Sequence, residues 1–411
     1  MNYLQLAFET SLFSVGISRP NPAVGAVVVR DGIVVGKGRT QRPGNAHAEV
    51  MALRDAGELA RGAAIYVTLE PCCHYGRTPP CTKAIIDAGI KTVYFAHADP
   101  NPVVRGKSRA ILEEAGIQVF EGQDACERAI AETGWDDSCS HDGCKVLSGN
   151  PAAMAGEPET RAEALAEARM LFHEIERFFE AYDYYVRNKA TFVEIKSAVS
   201  QEGYMGALAA DGSHLPLKIT GQGANCWNHE LRAMSDAILV GAGTVLADNP
   251  SLDVRFAQGN NPVKMIWAGH HEFTVAEVEK LRVFQPPFED SKAPVVFTCV
   301  PQPALAQAAP NVEIILLNAA TFVANWCQML ENLAARGMHR LMVEPGARLA
   351  AEIFKCGLWN RLDLWQSSDP AVDRALESCG SDGLTYPELP TALVARESFI
   401  LTPDILTVYA R

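Results

Sequence analysis

Apolar positions recur at helical spacing over residues 2–16. They then give way to AVVVRDGIVVGKG (26–38), two β-branched runs around Asp31-Gly32, the pattern of a hairpin. HAEVMALRDAGELA (47–60) returns to a helical period, and AAIYVTLEP (63–71) reads as a buried strand. CTKAIIDAG (81–89) is a short helix stopped by Gly89, and TVYFAHADP (92–100) a further strand. SRAILEEAG (108–116) is a helix ended by glycine, and IQVFEG (117–122) the last strand of this region. Such alternation predicts an α/β layer structure in which at least part of the sheet is parallel.

From Gln123 to about Pro158 the periodicity breaks down into small, polar and turn residues, which predicts a linker or insertion. Residues 159–188 spell a long amphipathic helix that is expected to lead into a second domain. There FVEIKSAVS, DAILVGAG, VKMIWAG, PVVFTCV, VEIILLN and RLMVEPG are six strand-like runs with helical stretches between several of them. LDLWQS and ILTVYAR are expected to complete the sheet. The expected organisation is a first domain over 1–122, a linker over 123–158 and a second α/β domain over 159–411, with 159–188 as its connecting helix.

A length of 411 residues fits two domains better than one core. The formal charge of −13 opposes non-specific binding to nucleic acid, which draws its affinity from neutralised phosphates. No apolar run reaches the ~18 residues of a spanning helix, and Glu9 interrupts the apolar N-terminal segment, so neither a membrane span nor a secretory signal is expected. Eleven cysteines are an odd number, and most stand singly in apolar segments. That usage predicts reduced thiols in a cytoplasmic protein, which disfavours a disulfide framework.

The chemistry concentrates in two segments of the first domain. One is His47-Ala48-Glu49, opening a helix; the other is EPCCHYGRTPPC (70–81), with three cysteines and a histidine in twelve positions. A zinc deaminase needs one His and two Cys to hold the ion, an open fourth position, and a carboxylate nearby that is not a ligand. The usual closing spacing, P-C-x-x-C, would need a cysteine where Tyr75 stands; the available pair is Cys72 and Cys81, nine apart. A structural zinc knuckle, with Cys73 or His74 as fourth ligand, is the alternative, but it leaves Glu49 and the NPAVG segment unexplained.

NPAVGAVVV, PGNAHAEV, YVTLEPCCHYGRTPPC and ADPNPVVRGK together resemble the deaminase half of the bifunctional riboflavin biosynthesis deaminase/reductase family. The resemblance implies a cytidine-deaminase-like three-layer domain with zinc on His47, Cys72 and Cys81 and with Glu49 as proton shuttle. Cys73 then occupies a position where the family usually has serine. The resemblance also places Asn21 at the pyrimidine edge, and Arg77, Asp99 and Asn101 around a ribose phosphate. Thr40 is a departure, standing where histidine is common in relatives.

The second domain resembles the family's reductase half, a dihydrofolate-reductase-like α/β fold that uses NADPH. LRAMSDAILVGAGTVLADNPSLDVR (231–255) carries most of this likeness, with weaker support from KITG (218–221) and LMVEPGARL (341–349). GAGTVLAD is not a dinucleotide fingerprint, since its third glycine is missing. By resemblance, Thr244, Asp248 and the loop at Gly346 contact NADPH, while Arg232, Leu252, Arg255 and Glu344 hold the phosphorylated substrate. Departures gather here: Ser200-Gln201-Glu202-Gly203 for S-L-D-G, Pro216-Leu217-Lys218 for S-x-W, and Val343-Glu344-Pro345-Gly346 for V-E-G-G. Pro345 removes a backbone donor. The alternative is therefore a deaminase whose second domain is a degenerate module for dimerisation or ligand binding.

Two further features stand outside these sites. Cys139, His141 and Cys144 offer only three ligands in a turn-rich stretch, and unstructured surface is the simpler reading. FFEAYDYY (178–185) reads as packing on the long helix and not as a base-stacking platform. The expected whole is a zinc- and NADPH-dependent enzyme acting on a small phosphorylated pyrimidine, a homo-oligomer, with no nucleic-acid or membrane partner.

Overall fold

The computed structural model describes residues 2–76, 78–131, 160–208, 214–215, 218–286, 293–370, 373–374, 383–390, 393–401 and 403–410. The chain forms two compact units: one of residues 1–188 with 258–260, the other of 189–257 with 261–411. The division falls at the end of the long helix, not before it.

Unit one runs α1 (Tyr3–Leu12), β1 (Gly25–Arg30), β2 (Ile33–Arg39), α2 (Ala48–Ala56), β3 (Ala64–Leu69), α3 (Cys81–Asp87), β4 (Thr92–His97), α4 (Lys107–Glu114), β5 (Gln118–Glu121), α5 (Gly122–Ala131) and α6 (Arg161–Asn188). Its sheet has the order β2-β1-β3-β4-β5; β1 is antiparallel to both neighbours, and β3, β4 and β5 are parallel. The hairpin turns on Asp31 (φ 52°) and Gly32 (φ 75°), the two positive-φ residues of a two-residue turn that matches strand twist. Helices α1, α5 and α6 pack on one face, with α2 against β1 and β2 and α3 beside α2, so the sheet is the middle of three layers.

Two glycines on β2 set how closely α2 lies. A Cβ at Gly36 would sit 2.3 Å from the Ala52 carbonyl oxygen, and one at Gly38 would sit 2.1 Å from that of Ala48. The helix that opens with His47 therefore rests directly on strand backbone.

Two features depart from the sequence expectation. Residues 122–131 are helix, because Ala125, Cys126, Ala129 and Ile130 form a buried stripe against β4 and β5. The 28-residue α6 belongs to unit one: Phe178 packs edge-on against Phe8, and Phe179 stacks on His97 with centroids 5.0 Å apart. The aromatic stretch is thus packing, as its pattern suggested. Cys139, His141 and Cys144 lie outside the described residues.

Unit two contains β6 (Phe192–Val199), β7 (Tyr204–Leu208), β8 (His214–Leu215), α7 (Gln222–Ala233), β9 (Ala237–Gly241), α8 (Ala242–Asp248), β10 (Val263–Gly269), α9 (Val275–Lys280), β11 (Val295–Thr298), α10 (Pro303–Ala308), β12 (Glu313–Leu316), α11 (Phe322–Ala335), β13 (Arg340–Glu344), α12 (Ala347–Cys356), β14 (Arg361–Ser367), β15 (Gly383–Thr385), β16 (Val394–Leu401) and β17 (Asp404–Ala410). The main sheet has the order β12-β11-β10-β9-β13-β6-β14-β17-β16, and β15-β7-β8 form a small second sheet. All eight strand-like runs read from the sequence are strands of the main sheet. Strands β6 and β9 to β14 are mutually parallel, while β17 and β16 close one edge antiparallel.

The centre is pinned by buried charge. Arg340 and Glu194 pair at 1% and 0% side-chain exposure, and an Asp236 carboxylate oxygen accepts the backbone N–H groups of His339 and Arg340 at 2.7 and 3.1 Å. Strand order reverses direction between β9 and β13. The chain leaving β9 goes on to β10 on one side, and that leaving β13 goes on to β14 on the other. In an open α/β sheet, the crevice outside the carboxyl ends of such a pair is where ligands bind.

Candidate active sites

In unit one, His47 is the residue before α2, Cys72 follows the end of β3, and Cys81 opens α3. Their ligand atoms all lie within 4.8 Å of one another. His47 Nδ1 is 3.6 Å from Cys72 Sγ and 3.4 Å from Cys81 Sγ. A nitrogen at about 2.05 Å and a sulfur at about 2.3 Å from one tetrahedral ion stand roughly 3.6 Å apart, so the donor set fits Zn²⁺. Among the described residues, this is the one group of three or more His, Cys, Asp or Glu side chains so arranged.

The electrostatics suit that role. Hydrogen bonding to Cys81, opposed by burial and helped by His47, holds the Cys72 thiol down to about 4. Cys81 is pushed up by the same bond and by burial, since a second negative charge beside the first is disfavoured. The bond to Cys72 raises His47 to about 9. Glu49, only 4% exposed, is raised to about 7 by burial first and then by the Cys72 charge. Cys73 points away from the triad, towards the Val103 carbonyl at 3.7 Å.

Asp99 is buried, its Oδ1 accepts the Asn101 N–H at 2.9 Å, and burial followed by the Glu70 and Cys72 charges lifts it to about 6. Asn21 lies in the turn between α1 and β1, its N–H bonded to the Ser18 carbonyl at 2.9 Å. Arg77 lies outside the described residues. Thr40 is buried and structural: its Oγ1 accepts the Val24 N–H at 3.1 Å.

In unit two, Thr244, Gly346, Arg232 and Glu344 lie at or just past the carboxyl ends of β9 and β13, and Arg232 reaches the loop that carries Leu252 and Arg255. Thr244 sits in α8 just past β9, and Asp248 ends that helix. Gly346 is the N-cap of α12, and a Cβ there would meet Thr244 Oγ1 at 3.2 Å, so these two residues are neighbours. Arg232 forks onto Glu344, with Nη2 2.9 and 3.1 Å from its two oxygens, and also donates from Nη1 to the Asp253 carbonyl at 3.1 Å. Arg232 is thereby committed to protein partners. Arg255 is half exposed and pairs with Asp253 at 3.3 Å. Leu252 is buried at φ 55°, a left-handed conformation that fixes the turn of this loop.

The sequence reading missed Lys196. It extends from mid-β6 into the same cluster, where burial lowers its pKa against the opposing charge of Glu344. Two charged residues, Glu194 and Lys196, inside the strand run FVEIKSAV were the available signal. Of the departures noted above, Lys218 is exposed, Pro216 and Leu217 lie outside the described residues, and Gln201-Glu202 lie in the exposed turn joining β6 to β7.

These two constellations define a zinc-type deaminase domain followed by a reductase-type domain in one chain. Residues 2–97 match the cytidine and deoxycytidylate deaminase zinc-binding region, and residues 191–368 match the RibD C-terminal domain. Riboflavin biosynthesis protein RibD of Aquifex aeolicus is 33% identical over 362 residues, covering 88% of this chain and 85% of that one. That of Bacillus amyloliquefaciens is 32% identical over 368 residues, with 88% and 83% covered. A solved deaminase/reductase of Thermotoga maritima has a TM-score of 0.63 at 28% identity, over 99% of this chain and 97% of that one. The chain belongs to the RibD family of riboflavin biosynthesis and is a bifunctional enzyme, a zinc-dependent deaminase and an NADPH-dependent reductase. The alternative of a degenerate second domain is set aside.

Proposed function

We propose that unit one hydrolytically deaminates 2,5-diamino-6-(5-phosphoribosylamino)pyrimidin-4(3H)-one, and that unit two reduces the ribose of the product to a ribityl chain. The observation that carries the first half is the triad His47, Cys72 and Cys81 with the buried carboxylate of Glu49 against it. Zinc held there supplies the Lewis acidity that makes water a nucleophile at neutral pH. Glu49 takes the proton from the attacking water and delivers it to the departing amine, which leaves as ammonia. Asp99 and Asn101 orient the ribosyl phosphate with Arg77, and Asn21 meets the pyrimidine edge. Cys73 and His74 are not ligands.

In unit two, Thr244, Asp248 and the Gly346 loop hold NADPH, which supplies the hydride. The N-terminus of α12 favours the negative charge of a phosphate, although Pro345, just before the N-cap, removes a donor from the loop that leads into it. Arg232 fixes Glu344 so that its carboxylate orients the ribose hydroxyls. Arg255 remains for the substrate phosphate, Leu252 shapes its loop, and Lys196, in the same cluster as Glu344, would supply the proton that accompanies reduction.

The protein works in the cytoplasm, in keeping with the eight free cysteines among its described residues. No helix among those residues is long and apolar enough to cross a membrane. We also assign it a homo-oligomeric state. Strand β16 is an edge with all eight residues exposed, Phe399, Ile400 and Leu401 among them, and such an edge is a template for pairing with a second copy. Sedimentation of the full chain checks this.

Glu49→Gln tests the deaminase assignment. It is expected to keep full zinc content and normal NADPH-dependent reduction while losing deamination by at least about 10²-fold. Normal deamination by this variant would refute the role.

A further inference from the structure

A second glutamate lies next to the metal ligands. Glu70, two residues before Cys72, is 3% exposed, and its carboxylate bonds into the loop after β4. One of its oxygens, Oε2, accepts the backbone N–H of Asp99 at 3.3 Å and that of Gly106 at 3.1 Å. The other, Oε1, accepts the hydroxyl of the buried Ser108. Its own N–H is donated to the His97 carbonyl at 2.8 Å. One carboxylate thus closes both ends of the loop from Asp99 to Gly106 and ties it to the strand end that delivers Cys72.

Within the loop the bonds continue in sequence. Asp99 Oδ1 accepts the Asn101 N–H at 2.9 Å, and Asn101 Oδ1 accepts the Val103 N–H at 3.1 Å. Lys107 Nζ fastens the tip through the Pro102 and Val103 carbonyls, each at 3.1 Å. Turn bonds from the Val104 and Arg105 N–H groups to the Asn101 carbonyl, and from the Lys107 N–H to that of Val104, each at 2.9 Å, shape the loop, while Glu70 ties both its ends to the strand. A buried acceptor serving two backbone amides and a hydroxyl is a shared anchor, and removing it frees three donors at once, those of the buried Asp99 and Ser108 with no water at hand.

We propose that Glu70 is a positioning residue for deamination: it ties the 99–106 loop to the strand end that carries Cys72, so that Asp99 and Asn101 meet the ribosyl phosphate while the pyrimidine reaches Glu49. This rests on the reading of Asp99 and Asn101 as substrate contacts. It accounts for glutamate in the E-P-C segment by a job separate from that of Cys72. Glutamine can keep much of the function, since its amide oxygen accepts the two backbone N–H groups and its NH₂ donates to the Ser108 oxygen.

The test uses the full chain, whose reductase half is an internal control for folding. Glu70→Ala is expected to raise the deaminase KM about tenfold, with kcat changed less, zinc content intact and reduction kinetics unchanged. Amide exchange at Asp99 and Gly106 should speed up in the same variant, and Glu70→Gln should restore most of the KM. Loss of zinc in Glu70→Ala, or a Gln variant no better than Ala, would overturn the proposal. Asn101→Ala separates the two layers of the argument. If it leaves KM unchanged, the reading of the loop as substrate-binding has failed. If it raises KM while Glu70→Ala is silent, the loop reading stands and the role of Glu70 is refuted.

Discussion

Replacing Gly38 by alanine perturbs the deaminase without touching any residue that meets substrate. The added methyl would lie 2.1 Å from the Ala48 carbonyl oxygen, 2.3 Å from the Ala52 nitrogen and 2.8 Å from Met51 Cβ. Two of these are backbone atoms and cannot swing away as a long side chain would. Restoring ordinary contact at about 3.4 Å requires α2 to retreat from β2 by about 1.3 Å, and overpacking of this kind costs roughly 1–3 kcal/mol. The atoms that must move are the first turn of the helix carrying Glu49, next to His47. A 1 Å misplacement of catalytic groups lowers the rate by about 10²-fold. Gly38→Ala is therefore expected to lower deaminase kcat/KM by about two orders of magnitude and to weaken zinc retention, with NADPH-dependent reduction unchanged. Steady-state kinetics of both reactions on one preparation, with metal analysis, reads all three. Full deamination by this variant would show that close seating of α2 does not set the site.

Two histidines give pH dependences of opposite sign. Burial would lower His97, but its bonds to Asp183 (3.0 Å) and Glu176 outweigh that and raise it to about 9. A raised folded-state pKa means that stability is fully present below about 6.5 and is lost as pH rises through about 9. After discounting for the exposure of Glu176, the effect is about 1–3 kcal/mol. Melting of the wild type should fall between pH 6.5 and 9 more steeply than that of His97→Asn, and equal slopes would contradict the clamp. His229, in α7, is lowered to about 4 by burial and then by Arg232 and Arg255, and its Nδ1 accepts the Arg255 N–H at 2.9 Å. Its contribution is present above about 6.5 and is lost as pH falls towards 4, so acid should loosen the loop at Arg255, and His229→Gln should flatten that acid-side slope.

The parts legible in the sequence were those in which local pattern and geometry coincide. Asp31-Gly32 between β-branched runs could hardly be anything but a hairpin, and eight strands of the main sheet follow from their apolar runs. The pairing of Cys72 with Cys81 came from the likeness of YVTLEPCCHYGRTPPC to the deaminase family, since the spacing alone left Cys73 and His74 open; the structure brings both cysteines to His47. Strand β16 escaped notice because both its faces are exposed, so ARESFIL has no alternation to read. Helix α5 was hidden by the turn-rich stretch that follows it. The attachment of α6 to unit one depends on His97 meeting Glu176 and Asp183, partners 79 and 86 residues away. The same holds for Arg232 and Glu344, whose separate motifs gave no sign that one saturates the other. Glu70 was visible only as part of a motif, and its work with Asp99, Gly106 and Ser108 is tertiary.

X-ray absorption at the zinc edge of the full-length enzyme tests the central claim most directly. His47, Cys72 and Cys81 as the protein ligands require two sulfurs at about 2.3 Å and light-atom donors at about 2.0–2.1 Å. Cys73→Ser should leave that spectrum unchanged. Three sulfurs in the wild type, falling to two in Cys73→Ser, would mean a closed structural centre and would contradict the deaminase assignment of these residues.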